Sequence, residues 1–133
     1  MEQEAELNTS YVENGFDDVR EWLDKCCKRW QKAYEPSSYI TVDESMIMWL
    51  GMSTARLIYL PRKPTPLGFM LKSSVCSQSC IMNMAEIVEG AEFDGNKKFC
   101  DDWQRTTATT LRLVEPYFGT GRIIFGDAWF GSL

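Results

Sequence analysis

The run Tyr39-Ile40-Thr41-Val42-Asp43-Glu44-Ser45-Met46-Ile47-Met48 has the character of a β-strand. Ile40, Thr41 and Val42 are branched at Cβ and favour extended backbone, and two acids follow them directly. The pattern predicts a strand that carries two acids at the end of its apolar part. Downstream, Gly51 to Thr54 reads as a turn and Arg56 to Leu60 as a short strand closed by Pro61. Arg62-Lys63-Pro64-Thr65-Pro66 is a stiff basic connector, because each proline fixes its own φ and biases the residue before it toward extended backbone. Phe69 to Cys76 and Ile81 to Val88 are apolar stretches of strand length around Ser77-Gln78-Ser79, which predicts a hairpin.

Upstream of the strand, Phe16, Val19, Trp22, Leu23, Cys26, Cys27, Trp30, Ala33 and Tyr34 recur at steps of three and four. That spacing draws one apolar stripe along a helix. Glu21 with Lys25 and Asp24 with Lys28 are i,i+4 pairs on the other face. Asn14 suits the cap and Pro36 the stop, so residues 14–36 form an amphipathic helix ahead of the core, and residues 1–13 a polar tail. The two-tryptophan stripe is expected to pack on the chain's own domain. The other use open to it is a protein partner held around Trp22 and Trp30.

Toward the C-terminus, residues 89–105 read as a loop with a helical turn. Thr106 to Phe118 reads as a helix that Pro116 ends or kinks. Gly119-Thr120-Gly121 turns the chain into an apolar strand, Arg122 to Gly126, which runs into Asp127. The elements together predict a mixed α/β domain.

With 133 residues, 44% hydrophobic and 25% charged, the chain has the composition of one globular domain, large enough to bury roughly two thirds of its unfolded surface. Histidine is absent, which removes Ser-His-Asp and Cys-His catalysis and histidine-bearing zinc sites. Five irregularly spaced cysteines fit reduced thiols in an intracellular protein. No apolar run reaches the ~18 residues that span a bilayer, and the acidic start is unlike a signal peptide. The net charge of −5 argues against tight grip on a phosphate backbone by this segment alone.

The remaining chemistry is carboxylate chemistry. Asp43 and Asp127 each stand at or near the end of a predicted apolar strand. Two such acids can be solvated side chains, or they can converge on a divalent ion, for which oxygen donors without histidine select Mg²⁺ or Mn²⁺ over zinc.

Val42-Asp43-Glu44-Ser45-Met46 with Trp49 and Gly51, then Tyr59-Leu60-Pro61-Arg62-Lys63-Pro64 and Leu67-Gly68-Phe69, resembles the opening of the catalytic domain in piggyBac-type transposases and the domesticated proteins derived from them. Gly126-Asp127-Ala128-Trp129-Phe130-Gly131-Ser132 resembles the block around that family's second catalytic aspartate. The match runs over roughly residues 37–133. It implies the N-terminal part of an RNase H-like domain in which three aspartates hold two metal ions for cleavage and strand transfer of DNA. Asp43 would be the first ligand and Asp127 the second. Strand alternation turns Glu44 to the opposite face, outside the catalytic set.

The third acidic residue of the family lies downstream of the second block, and this chain stops at Leu133. The expectation is therefore a fragment truncated within its fold, inactive alone and without a tightly held metal. Basic residues common in the family near Leu50, Met52, Pro66 and Met70 are missing, so weak DNA binding at most is expected. The resemblance also implies a nuclear location. The competing expectation is a domesticated interaction module without catalysis.

Overall fold

The computed structural model describes residues 16–51 and 57–131. The expected polar tail, the Asn14 cap, Met52 to Thr54 of the expected turn, and Arg56 lie outside the described residues.

Helix α1 spans Asp17–Ala33, close to the expected bounds. It opens on two acids, Asp17 and Asp18, and has Lys32 in its last turn, both matched to the helix dipole. Backbone extends at Tyr34, whose N–H closes the final turn on the Trp30 carbonyl at 3.0 Å. Leu23 and Cys27 are buried, and Trp30 packs beside them. Trp22 does not follow the expected stripe: it is 62% exposed, because the packed face is narrower than the apolar residues suggest.

Strand β1 is Tyr39–Met48, as the sequence predicts, and β3 (Leu67–Cys76) pairs with it antiparallel from Ile40↔Cys76 to Met48↔Gly68. Strands β2 (Ile58–Tyr59) and β4 (Met82–Ile87) share the other edge of β3, so the expected hairpin is β3 with β4. Helix α2 (Ala91–Gly95) is the turn expected in the 89–105 segment. Helix α3 (Arg105–Val114) runs into a 3-10 turn at Glu115–Tyr117, where Pro116 ends the α-helical hydrogen bonding. The threonines of α3 are accommodated by bonding back along the helix, Thr109 Oγ1 to the Arg105 carbonyl at 2.9 Å and Thr110 Oγ1 to the Thr106 carbonyl at 3.1 Å. Gly119 and Gly121, both at φ +73°, make the return that other residues resist. Strand β5 (Ile123–Phe125) then lies parallel to β1.

The helices cover opposite faces of this mixed sheet. On one face Leu23, Cys27 and Trp30 of α1 meet Leu71, Ala85 and Ile87. On the other, Leu113 and Val114 of α3 meet Ile40, Val42 and Phe130. The Ser74 hydroxyl donates to the Leu113 carbonyl at 2.7 Å and ties the second layer down. Tyr39, Ile123 and Phe125, which share the α1 face by register, remain uncovered among the described residues; Phe125 is 50% exposed. The five cysteines are free thiols. No helix among the described residues is long and apolar enough to cross a membrane.

Candidate functional site

The parallel pairing decides where the acids lie. Tyr39, Ile40 and Thr41 face Ile123, Ile124 and Phe125, and the pairing stops there. Asp43 and Asp127 each follow the last paired residue of their own strand by two positions, which sets them side by side where the β1 to β5 pairing ends. Asp43 and Glu44 follow the apolar part of β1, as the sequence suggests, but stand in the middle of the strand and not at its end. The strand continues because Glu44 to Met48 go on pairing with β3. It is the parallel neighbour that ends.

Arg122 anchors β5 to this register. Its Nε donates to the Ser37 carbonyl at 3.0 Å and its Nη2 to the Pro36 carbonyl at 2.9 Å, with Glu35 paired to the same guanidinium. The Ile123 N–H donates to the Ser38 carbonyl at 2.8 Å. Beyond β5 the chain passes Gly126 in tight contact with its surroundings: a Cβ there would meet Val42 Cγ2 at 2.9 Å and Phe130 Cβ at 3.0 Å. Asp127 then closes a turn. Its Oδ1 accepts the backbone N–H of Trp129 at 3.0 Å and its carbonyl accepts the Phe130 N–H at 3.1 Å, while the Phe130 side chain is buried in the core.

Asp43, Glu44 and Asp127 each place a carboxylate oxygen within 4.8 Å of the other two. Asp43 and Asp127 are the residues the sequence singles out, and the fold brings them together. Glu44, which the sequence reading sets outside the catalytic set, also lies in this group. Alternation does turn it from Asp43, but from Val42 onward β5 no longer flanks β1, so acids from both faces can meet around that edge. Its side chain is only 7% exposed and lies 3.1 Å from Lys63 Nζ and 3.7 Å from Arg62 Nη2. The basic connector thus stands beside the acids. The Lys63 N–H donates to the Leu60 carbonyl at 3.1 Å and the Leu60 N–H to the Pro66 carbonyl at 2.7 Å, which folds the connector into a fixed turn.

Lys72 stands opposite Glu44 in the register and is 6% exposed. Its Nζ lies 2.8 Å from the centroid of the Trp129 ring and 5.5 Å from that of Phe130. Burial pushes the ammonium down to about 8, against the opposing pull of Glu86 and Glu44.

Oxygen-only donors suit a hard divalent cation, and Asp43 and Asp127 are the residues that could hold one, with Glu44 beside them but paired to Lys63 and Arg62. Such a cluster can orient a water or hydroxyl and screen the charge of a phosphodiester.

A family model described as Transposase IS4 matches residues 3–133. No curated protein matches the chain. Among solved structures, the chain is similar to the piggyBac transposase in a synaptic complex with hairpin DNA, with a TM-score of 0.77 and 22% identity, over 95% of this chain and 25% of that one. The chain spans about a quarter of that protein's length, and the likeness establishes a mixed α/β fold of the RNase H-like kind. The resemblance to piggyBac-type transposases read from the sequence is borne out, and the chain belongs to the Transposase IS4 family.

Proposed function

We propose that this chain supplies the first part of a metal-dependent DNA-cleaving and strand-transferring domain, with Asp43 and Asp127 as two of its metal ligands and residues 37–133 as the part concerned. The observation that carries the reading is the convergence of these two carboxylates, one on β1 and one in the turn after its parallel neighbour β5, within 4.8 Å of each other. A bound Mg²⁺ or Mn²⁺ would activate a water or DNA hydroxyl and stabilise the leaving oxygen. The chain's own residues hold the geometry. Arg122 fixes the strand register, the Trp129 N–H orients the Asp127 carboxylate, and the neighbouring Glu44 N–H, 2.8 Å from Asp43 Oδ1, orients the other.

The reading includes inactivity of this chain alone. Glu44 is already engaged by Lys63 and Arg62 and is a poor substitute for the further acid that the family supplies downstream. Such a domain would work in the nucleus, where its substrate lies. The test is Mn²⁺ binding by the full chain, followed by electron paramagnetic resonance of the free ion, beside incubation with DNA bearing terminal inverted repeats. Binding weakened about tenfold or more by Asp43→Asn and by Asp127→Asn, without DNA products, is the expected result. Unchanged binding in both variants overturns the ligand assignment, and metal-dependent products overturn the inactivity.

One observation favours a second reading, an interaction module without catalysis. Trp22 is exposed on α1 next to Val19, although Trp30 packs inward. A defined protein partner lost on Trp22→Ala, together with unaltered Mn²⁺ binding in the aspartate variants, would favour that reading.

A further inference from the structure

Lys72 is a buried cation whose acidic neighbours are committed elsewhere. Glu44, across β1, turns to Lys63 and Arg62. Glu86, across β4, gives both oxygens to Arg112, at 2.8 Å each. Among the described residues no carboxylate is in ion-pair contact with Lys72 Nζ, and the ammonium meets the face of Trp129 instead. An apolar side chain would fill this place without the cost of desolvating a charge. The ring it holds belongs to the residue whose N–H reaches Asp127 Oδ1.

We infer that Lys72 is a positioning residue for Asp127: its ammonium fixes the Trp129 indole and so the backbone of Trp129, whose main-chain N–H holds the Asp127 carboxylate toward Asp43. The inference rests on the reading of Asp127 as a metal ligand. It adds a residue on β3, outside the acidic group, to the determinants of the site. The pKa of about 8 leaves Lys72 largely charged at neutral pH, as the contact with the ring requires.

The test is Mn²⁺ affinity of the full chain in five variants, with near-ultraviolet circular dichroism as the check on packing. Lys72→Met and Trp129→Leu are each expected to weaken binding about tenfold, the scale of losing a partner that orients a ligand. The double variant is expected to lose no more than either single one, since both cut the same chain of contacts. Lys72→Arg, which keeps the cation over the ring, is expected to stay within about threefold of the parent. Additive losses, or tighter binding in Lys72→Met from removal of a repelling charge, overturn the inference. If Lys72→Met does not fold, Trp129→Leu decides, because that side chain is partly exposed. Asp127→Asn separates the two levels. If it weakens binding while Lys72→Met and Trp129→Leu do not, the positioning role fails and the ligand reading stands. If it has no effect, the ligand reading itself fails.

Discussion

Arg122 donates to the carbonyl of Ser37 across 85 positions of sequence, and this contact sets the strand before Asp127 against the strand that carries Asp43. The Arg122 guanidinium also caps the Pro36 carbonyl and lies 5.1 Å from the Tyr117 ring centroid. Arg122→Ala leaves two carbonyls without this donor. It is expected to cost about 2 kcal/mol in denaturant unfolding and to weaken Mn²⁺ binding as well. Full stability in the variant would show that β5 is held by its strand pairing alone.

Gly126→Ala places a methyl group 2.9 Å from Val42 Cγ2 and 3.0 Å from Phe130 Cβ. Neither neighbour can yield without moving the core, so destabilisation of about 1–3 kcal/mol is expected. A thermal melt checks it, and an unchanged midpoint would mean that the Asp127 turn slides freely.

The sign of one pH effect follows from Lys72. Its folded pKa is about 8, below the ordinary value of 10.5, so the unfolded chain binds the proton more strongly between those values. Stability from this group therefore rises as pH climbs from 8 to 10.5, by about 3 kcal/mol at most. Below pH 8 the charged group carries that full cost. In Lys72→Met this part of the pH dependence is expected to vanish. Equal slopes in the two proteins, from denaturant unfolding at pH 8 and pH 10, would refute the assignment.

Glu44 holds Lys63 and Arg62 against the acidic site. Glu44→Gln removes their counter-charge, and non-specific DNA binding is expected to tighten with a steeper salt dependence, by about one unit in the log-log slope. Fluorescence anisotropy at two salt concentrations reads both. Sub-micromolar affinity in the parent chain at physiological salt would contradict the electrostatic reading altogether.

The elements with strong local pattern were legible from sequence: the three-and-four spacing of α1, the β-branched opening of β1, and the two apolar runs that make the β3 to β4 hairpin. The parts that depend on long-range placement were not. Helix spacing cannot tell that Trp22 lies beyond the width of the packed face. Alternation correctly turns Glu44 away from Asp43 but does not reveal that β5 stops short, leaving an edge around which the acids meet. Lys72 carries a readable signal, since it shares period and face with Ser74 and Cys76 on a strand with buried neighbours. Asp94 gives none. Its burial is explained by bonds to the Glu89 and Gly90 N–H groups and by Lys97 at 2.7 Å, a local knot without periodicity.

The parallel contact of β1 with β5 has a kinetic meaning. The β3 to β4 hairpin closes over a short turn, a microsecond event in isolated chains. The β1 to β5 pairing must wait for α3 and the glycine turn to bring distant segments together, with loop-closure entropy spent before any contact is gained. The acidic site is therefore expected to form late in folding, with Asp43 and Asp127 apart while the rest of the domain consolidates. A cation that binds only their joined form would slow unfolding by holding shut the last door to close.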